Sequence, residues 1–190
     1  MIKREMPRAK ARGIFLRFWN LGGQTGNNIW QKGGPRLKKS YYIVYPAVAV
    51  GVGALSGLIT RQSVKEVFPL LEKPPLSPPA AVFPIVWTAL YILMGVGLAA
   101  VKNKGGPGVK RAERLWWVQL AVNFAWTLVF FLAGAYFAAL LVLLLLFGLA
   151  AAMTAAFDRA DRPAARLQAP YLIWLAFAAY LNAGIWLLNR

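Results

Sequence analysis

Five stretches of this chain, residues 41–60, 80–101, 115–133, 136–157 and 170–188, contain no Asp, Glu, Lys or Arg. Each is apolar and about long enough to cross a bilayer as a helix, which takes about 20 residues. Within hydrocarbon every backbone N–H and C=O must find a partner inside the protein, and a helix does this within one segment. The predicted fold class is therefore all-α, an integral membrane bundle of five transmembrane helices over residues 41–190. Residues 1–40 form a basic, flexible N-terminal extension outside it. Mean hydropathy is +0.51, yet the net charge is +16; the two agree only if charge and apolar surface are segregated along the chain.

The charges do segregate. Of 22 cations, 18 fall in residues 1–39, 102–114 and 158–169, while Arg61, Lys65, Lys73 and Arg190 occupy the alternate connections and the C-terminus. Under the positive-inside rule this predicts the N-terminus inside and the C-terminus outside. The extension holds ten cations against Glu5 alone, with Ile14–Leu21 a short apolar island that could rest on anionic lipid.

Composition also narrows the chemistry. The chain has no Cys and no His, so thiolate chemistry, imidazole ligation of metal or haem iron, and His acid–base catalysis are excluded. All six carboxylates lie in tails or connections, which removes a paired-carboxylate site within the bundle and disfavours an ion-coupled pump. No phosphate-binding glycine loop is present. No metal site and no nucleic-acid partner are expected.

Aromatic rings and amides remain. In residues 73–95, KPPLSPPAAVFPIVWTALYILMG, four prolines lead into an apolar segment. Ser77 is predicted to cap the helix, with Pro78 at its first position. Phe83, Trp87 and Tyr91 recur every fourth residue and share a face. In the third span Trp116, Gln119, Asn123 and Trp126 lie on one face, as do Trp174, Ala178 and Asn182 in the fifth. The amides should face the bundle interior, either joining helices or touching a ligand. Trp116 and Trp186, close to span ends, read as interfacial anchors. Ala49, Gly53 and Gly57 form a small-residue face suited to close helix approach. The fourth span, nearly all Ala and Leu, reads as lipid-facing scaffold, and residues 64–71 as a short helix over the bundle mouth. Together the aromatic faces suit a cavity for a flat hydrophobic ligand. Arg61, Lys65 and Lys73 stand near its mouth, where they could pair with ligand carboxylates.

The pattern K-P-x-x-x-P-P-x-x-V-F-x-x-V-W-x-x-L-Y-x-x-M-G, with WVQLAVNFAWTLVFF at 117–131 and PYLIWLAFAAYLNAGIW at 170–186, resembles the tryptophan-rich sensory protein and translocator protein (TspO/MBR) family across residues 41–190. That resemblance implies a five-helix membrane protein, commonly a homodimer, that binds porphyrin, haem or related tetrapyrroles, and in some members sterols, for transport, sequestration or stress sensing. Porphyrin would be a ligand, and no cofactor is required. The ligand-binding set it implies, joined to the faces above, is Phe83, Trp87, Tyr91, Gln119, Asn123, Trp126, Trp174, Ala178 and Asn182. A light-dependent porphyrin-degrading activity at Trp87 and Trp174 is the enzymatic alternative, and a sterol or lipid transporter or a membrane scaffold the other. Leu76 and Ala81 stand where the family often has Trp. Ala183 and Leu187 replace the Tyr and Arg of its sterol-recognition segment, which argues against sterol.

Overall fold

The computed structural model describes residues 38–190, and the basic extension expected before residue 41 lies, up to residue 37, outside the described residues. Five long helices follow: α1 Tyr41–Glu66, α2 Val82–Lys104, α3 Val109–Phe131, α4 Tyr136–Ala160 and α5 Ala169–Leu188. The segments Tyr41–Glu66, Val82–Lys104, Tyr136–Ala160 and Arg162–Leu188 are long and apolar enough to cross a membrane. α3 is the more polar helix, because Lys110, Arg111, Glu113 and Arg114 open it and Gln119 and Asn123 lie within it. The chain is an all-α, multi-pass integral membrane protein.

The helices close a ring in the order α1, α2, α5, α4, α3, with α2 also touching α3 and α4. Small residues set the closest approaches. Pro46 sits inside α1, where its missing N–H frees a carbonyl one turn earlier. At that point α2 presents Gly95, and a Cβ there would overlap the α1 backbone at Tyr45 and Pro46. Side chains of Ile43, Leu55, Leu58, Leu141, Leu144, Leu145 and Ile173 point outward and are exposed. Such an apolar exterior suits lipid rather than water.

Polar clasps fix the end of the bundle that carries the basic connections. Asn103 holds the Lys38 backbone from both sides, accepting from its N–H at 2.8 Å and donating to its C=O at 3.4 Å. Glu113 accepts from Lys102 and from the Tyr45 hydroxyl. The α2–α3 turn runs through Gly105, Gly106 and Gly108, all at positive φ, a region that L side chains enter only at a cost.

Several expected boundaries move. Ser77 does not cap α2: its Oγ donates to Pro74 O at 2.7 Å, and the helix starts at Val82. Instead, Val82 N–H bonds back to Pro79 O at 2.9 Å. The paired prolines bias Ser77 and Pro78 away from the helical region, and the helix starts beyond them. Residues 64–71 are not a separate short helix. α1 continues to Glu66, and one 3₁₀ turn, Phe68–Leu70, follows. Within 158–169, Asp161 accepts from Ala164 N–H at 3.3 Å and caps a one-turn helix, Arg162–Arg166, that starts through Pro163. α4 buries Ala139, Leu143, Leu146, Ala150, Met153 and Phe157 on one side and leaves the other to lipid.

Candidate functional site

A cavity of about 390 Å3 opens between α1, α2, α3 and α5, beneath the proline-rich connection. That volume lies in the range of small-molecule sites. α2 contributes Phe83, Trp87 and Tyr91; α3 contributes Trp126, Thr127, Phe130 and Phe131; α5 contributes Trp174, Ala178, Leu181, Asn182 and Ile185. α4 supplies no lining residue, as its lack of a polar or aromatic face leads one to expect.

The rings form a continuous apolar wall. Trp87 lies 5.6 Å from Tyr91 and 6.1 Å from Trp126, centroid to centroid. Phe83 meets Trp174 edge-on at 6.0 Å and Phe68 at 6.1 Å. Rings at these separations brace one another and leave faces available to a flat partner. The indole N–H of Trp174 is buried with no acceptor among the described residues. A buried donor without a partner costs about 1–3 kcal/mol.

Beneath the wall runs a chain of hydrogen bonds. Tyr91 Oη donates to Asn123 Oδ1 at 2.9 Å, Asn123 Nδ2 donates to Tyr171 Oη at 3.2 Å, and Tyr171 Oη donates to Gln119 Oε1 at 2.8 Å. Beside it, Trp126 Nε1 donates to Asn182 Oδ1 at 3.2 Å, and Asn182 Nδ2 to Tyr136 O at 2.8 Å. Of the nine residues expected to bind ligand, seven therefore line the cavity. Gln119 and Asn123 do not. They are fully buried under its floor and spend their amides on helix-to-helix bonds. The face from Trp116 to Trp126 does turn inward, but it serves as glue at its centre and as lining only at Trp126. Trp116 is likewise no interfacial anchor: it is completely buried and donates to Met94 O at 3.2 Å.

The proline-rich connection is fastened across the mouth by α5. Asn189 accepts from Glu72 N–H at 3.0 Å and donates to Glu72 O at 2.9 Å. The Tyr180 hydroxyl donates to Pro75 O at 2.8 Å. Pro74 seats against Gly184, where a Cβ would stand 2.5 Å from the ring. Leu76 turns the chain at φ 67, the left-handed conformation that the third residue of a type II turn demands and that Gly meets more easily.

Sequence reasoning missed four residues that shape the site. Tyr171 is the centre of the floor network, and its position three residues before Trp174 puts it on the same helical face. Phe130 and Phe131 lie at a span end, where an aromatic residue reads as an interfacial anchor, and Phe68 lies in the connection after α1. Gly53 has the use its spacing suggests, close approach of α1 to α2, whereas Gly57 has a different one. A Cβ at Gly53 would overlap the Tyr91 ring, whereas one at Gly57 would meet nothing within 4 Å. Smallness at Gly57 therefore opens the cavity and packs no helix.

A ring of membrane helices around an aromatic cavity defines the class: a multi-span protein built to hold a hydrophobic molecule. Residues 44–187 match the model of the TspO/MBR family. The chain is 36% identical over 148 residues to the tryptophan-rich protein TspO of Chlorobaculum tepidum, covering 75% of this chain and 91% of that one. It is 38% identical over 141 residues to the translocator protein of Bos taurus, covering 73% and 83%. The human translocator protein is 43% identical over 119 residues, covering 61% of this chain and 70% of its own. The chain belongs to the TspO/MBR family.

Proposed function

We propose that the protein binds porphyrin- or haem-like tetrapyrroles in this cavity and serves their transport, sequestration or sensing. One observation carries the reading: indole rings from two helices, Trp87 on α2 and Trp174 on α5, wall one apolar cavity under a fastened connection. A flat aromatic ligand gains ring contact on several sides there and loses little polar solvation. Relatives are called translocator protein and tryptophan-rich sensory protein, which fits passage or detection of a membrane-soluble molecule. A homodimer and an N-in, C-out orientation complete the proposal.

Titration of the purified protein with metal-free protoporphyrin tests it. Trp87→Phe and Trp174→Phe should each weaken binding several-fold, on the order of 1 kcal/mol per indole, and reduce the quenching of tryptophan emission. Trp117→Phe, on the exposed face of α3, should change neither. Parental binding and quenching in both cavity variants would place the ligand elsewhere. Illumination of the same complexes separates the enzymatic alternative: porphyrin loss in light that disappears with Trp87→Phe indicates turnover rather than storage.

Orientation has its own measurement. The chain lacks cysteine, so single probes are clean. Gly106→Cys should label only with reagent supplied from the inside, and Ser63→Cys only from the outside. The opposite pattern would invert the orientation.

A further inference from the structure

The outer face of α3 carries charge that nothing in the described bundle answers. Lys110, Arg114, Trp117, Ala121, Ala125 and Leu128 follow one another at steps of three or four residues and so stand in one row along the helix. The opposite side of α3 faces inward, with Ala112, Trp116, Gln119 and Asn123 buried. Every member of the outer row is exposed except the half-buried Leu128. The row begins with two cations at the end of the bundle that bears the basic connections, passes an indole ring and ends in small and apolar side chains. It is separate from the aromatic cavity, which takes only Trp126, Thr127, Phe130 and Phe131 from α3.

The two cations do little for the fold. Of the three described carboxylates at this end, Glu113 is engaged by Lys102 and Tyr45, Asp161 by Lys104, and Asp158 makes no ion pair. Lys110 and Arg114 have no ion-pair partner among the described residues. They do not favour the helix either: cations near a helix start oppose its macrodipole, and the first turn of α3 holds no acidic residue to offset them. A second copy is a poor cover for this end of the face. A two-fold axis along the membrane normal pairs like residues with like, which would set these cations against their own equivalents.

We propose that this face of α3 binds an anionic phospholipid of the adjoining leaflet. Arg114 takes the head-group phosphate through its guanidinium fork, and Lys110 adds a point charge beside it. Trp117 lies at head-group level, where an indole suits both apolar and wet surroundings. An acyl chain then runs down the row over Ala121 and Ala125, whose small side chains leave it room. The site does not depend on what the cavity holds.

Quenching by brominated lipid tests this at the face itself. The chain has no cysteine, so Val118→Cys, exposed beside the row about one turn below Arg114, places a single bimane reporter there. Ile173→Cys, exposed on α5, places one on another face. The full chain is reconstituted in phosphatidylcholine with bromines on either phosphatidylglycerol or phosphatidylcholine. At Val118, phosphatidylglycerol should be preferred about fivefold, as one added cation–lipid contact supplies, and less so as salt rises from about 20 mM to about 500 mM. At Ile173 the preference should be smaller. Lys110→Gln/Arg114→Gln should lower the Val118 preference to the Ile173 value and leave Ile173 unchanged. Arg162→Gln/Arg166→Gln removes the same charge from the short helix at the same end and should leave the Val118 preference intact.

Equal preference at the two reporters, or a Val118 preference that survives the α3 double variant, overturns the site. So does an equal loss in the Arg162/Arg166 variant, which would assign the effect to the overall positive field. If both lipids quench at Ile173 and neither at Val118, a second copy covers the face and the lipid assignment falls. It falls also if excess glycerol 3-phosphate abolishes the preference, because the cations would then be reading a soluble phosphate without the acyl chain.

Discussion

Gly95→Leu is expected to be the most damaging single substitution in the described bundle. The Cβ it adds would fall on backbone atoms of α1 at Tyr45 and Pro46 rather than on a side chain able to turn aside. Between membrane helices, where lipid and side chain are equally apolar, close packing is a main source of association, and a small residue at the crossing permits it. Overpacking against movable side chains costs about 1–3 kcal/mol. Here α1 must shift bodily, so the loss should reach the upper end, about 3 kcal/mol. α1 would also lose its seat against Tyr91 at Gly53, and with it one wall of the cavity. Thermal unfolding in detergent should show a large drop in midpoint for Gly95→Leu. Gly51→Leu, exposed on α1 with nothing near its Cβ, should melt within a degree or two of the parent. Equal melting of both would mean that the Pro46–Gly95 crossing does not hold the helices together.

That crossing also shows what sequence can and cannot convey. The helices themselves were legible, because a charge-free run of this length has few ways to sit in a membrane. The face of Phe83, Trp87 and Tyr91 was legible because their four-residue period puts them in one row along α2. What each polar residue bonds to was not. Gln119 and Asn123 announce an inward face, but whether an inward amide meets a ligand or another helix depends on which side chain arrives from elsewhere. Here Tyr91 arrives from α2 and Tyr171 from α5 and take both amides. The start of α2 was misread for a local reason. A Ser before a proline pair has the form of a cap, yet the Ser77 hydroxyl found the carbonyl of Pro74 first, and the competition between such local bonds and a helix start is close. Part of the contribution of α1 to the cavity lies in glycine spacing, and the same spacing describes a packing seam, as at Gly53, and an opening, as at Gly57, equally well.

The second large effect should come from Asn123→Leu. The substitution keeps the bulk of the side chain and removes both its bonds to tyrosine. The Tyr91 hydroxyl then loses its acceptor, and the Tyr171 hydroxyl loses a donor while keeping Gln119. Tyr91 and Tyr171 are both buried, Tyr171 completely. Each buried group left unsatisfied costs about 1–3 kcal/mol, though interhelical bonds in membranes average only about 0.6 kcal/mol because the separated helices find other partners. We therefore expect a loss of about 2 kcal/mol for Asn123→Leu and less for Tyr91→Phe, which deletes the donor and leaves Asn123 able to find another. The pair should be non-additive: once Tyr91 is Phe, the leucine at 123 strands one hydroxyl fewer, so the double variant should be less damaged than the two single losses summed. Tyr91 lines the cavity while Asn123 does not, and this separates stability from binding. Asn123→Leu should weaken tetrapyrrole binding only through a loosened Tyr91, and cooling the sample should restore much of it. Tyr91→Phe should alter binding at every temperature while costing less stability than Asn123→Leu. Additive stability losses in the double variant would show that Asn123 supports the bundle by some contact other than Tyr91.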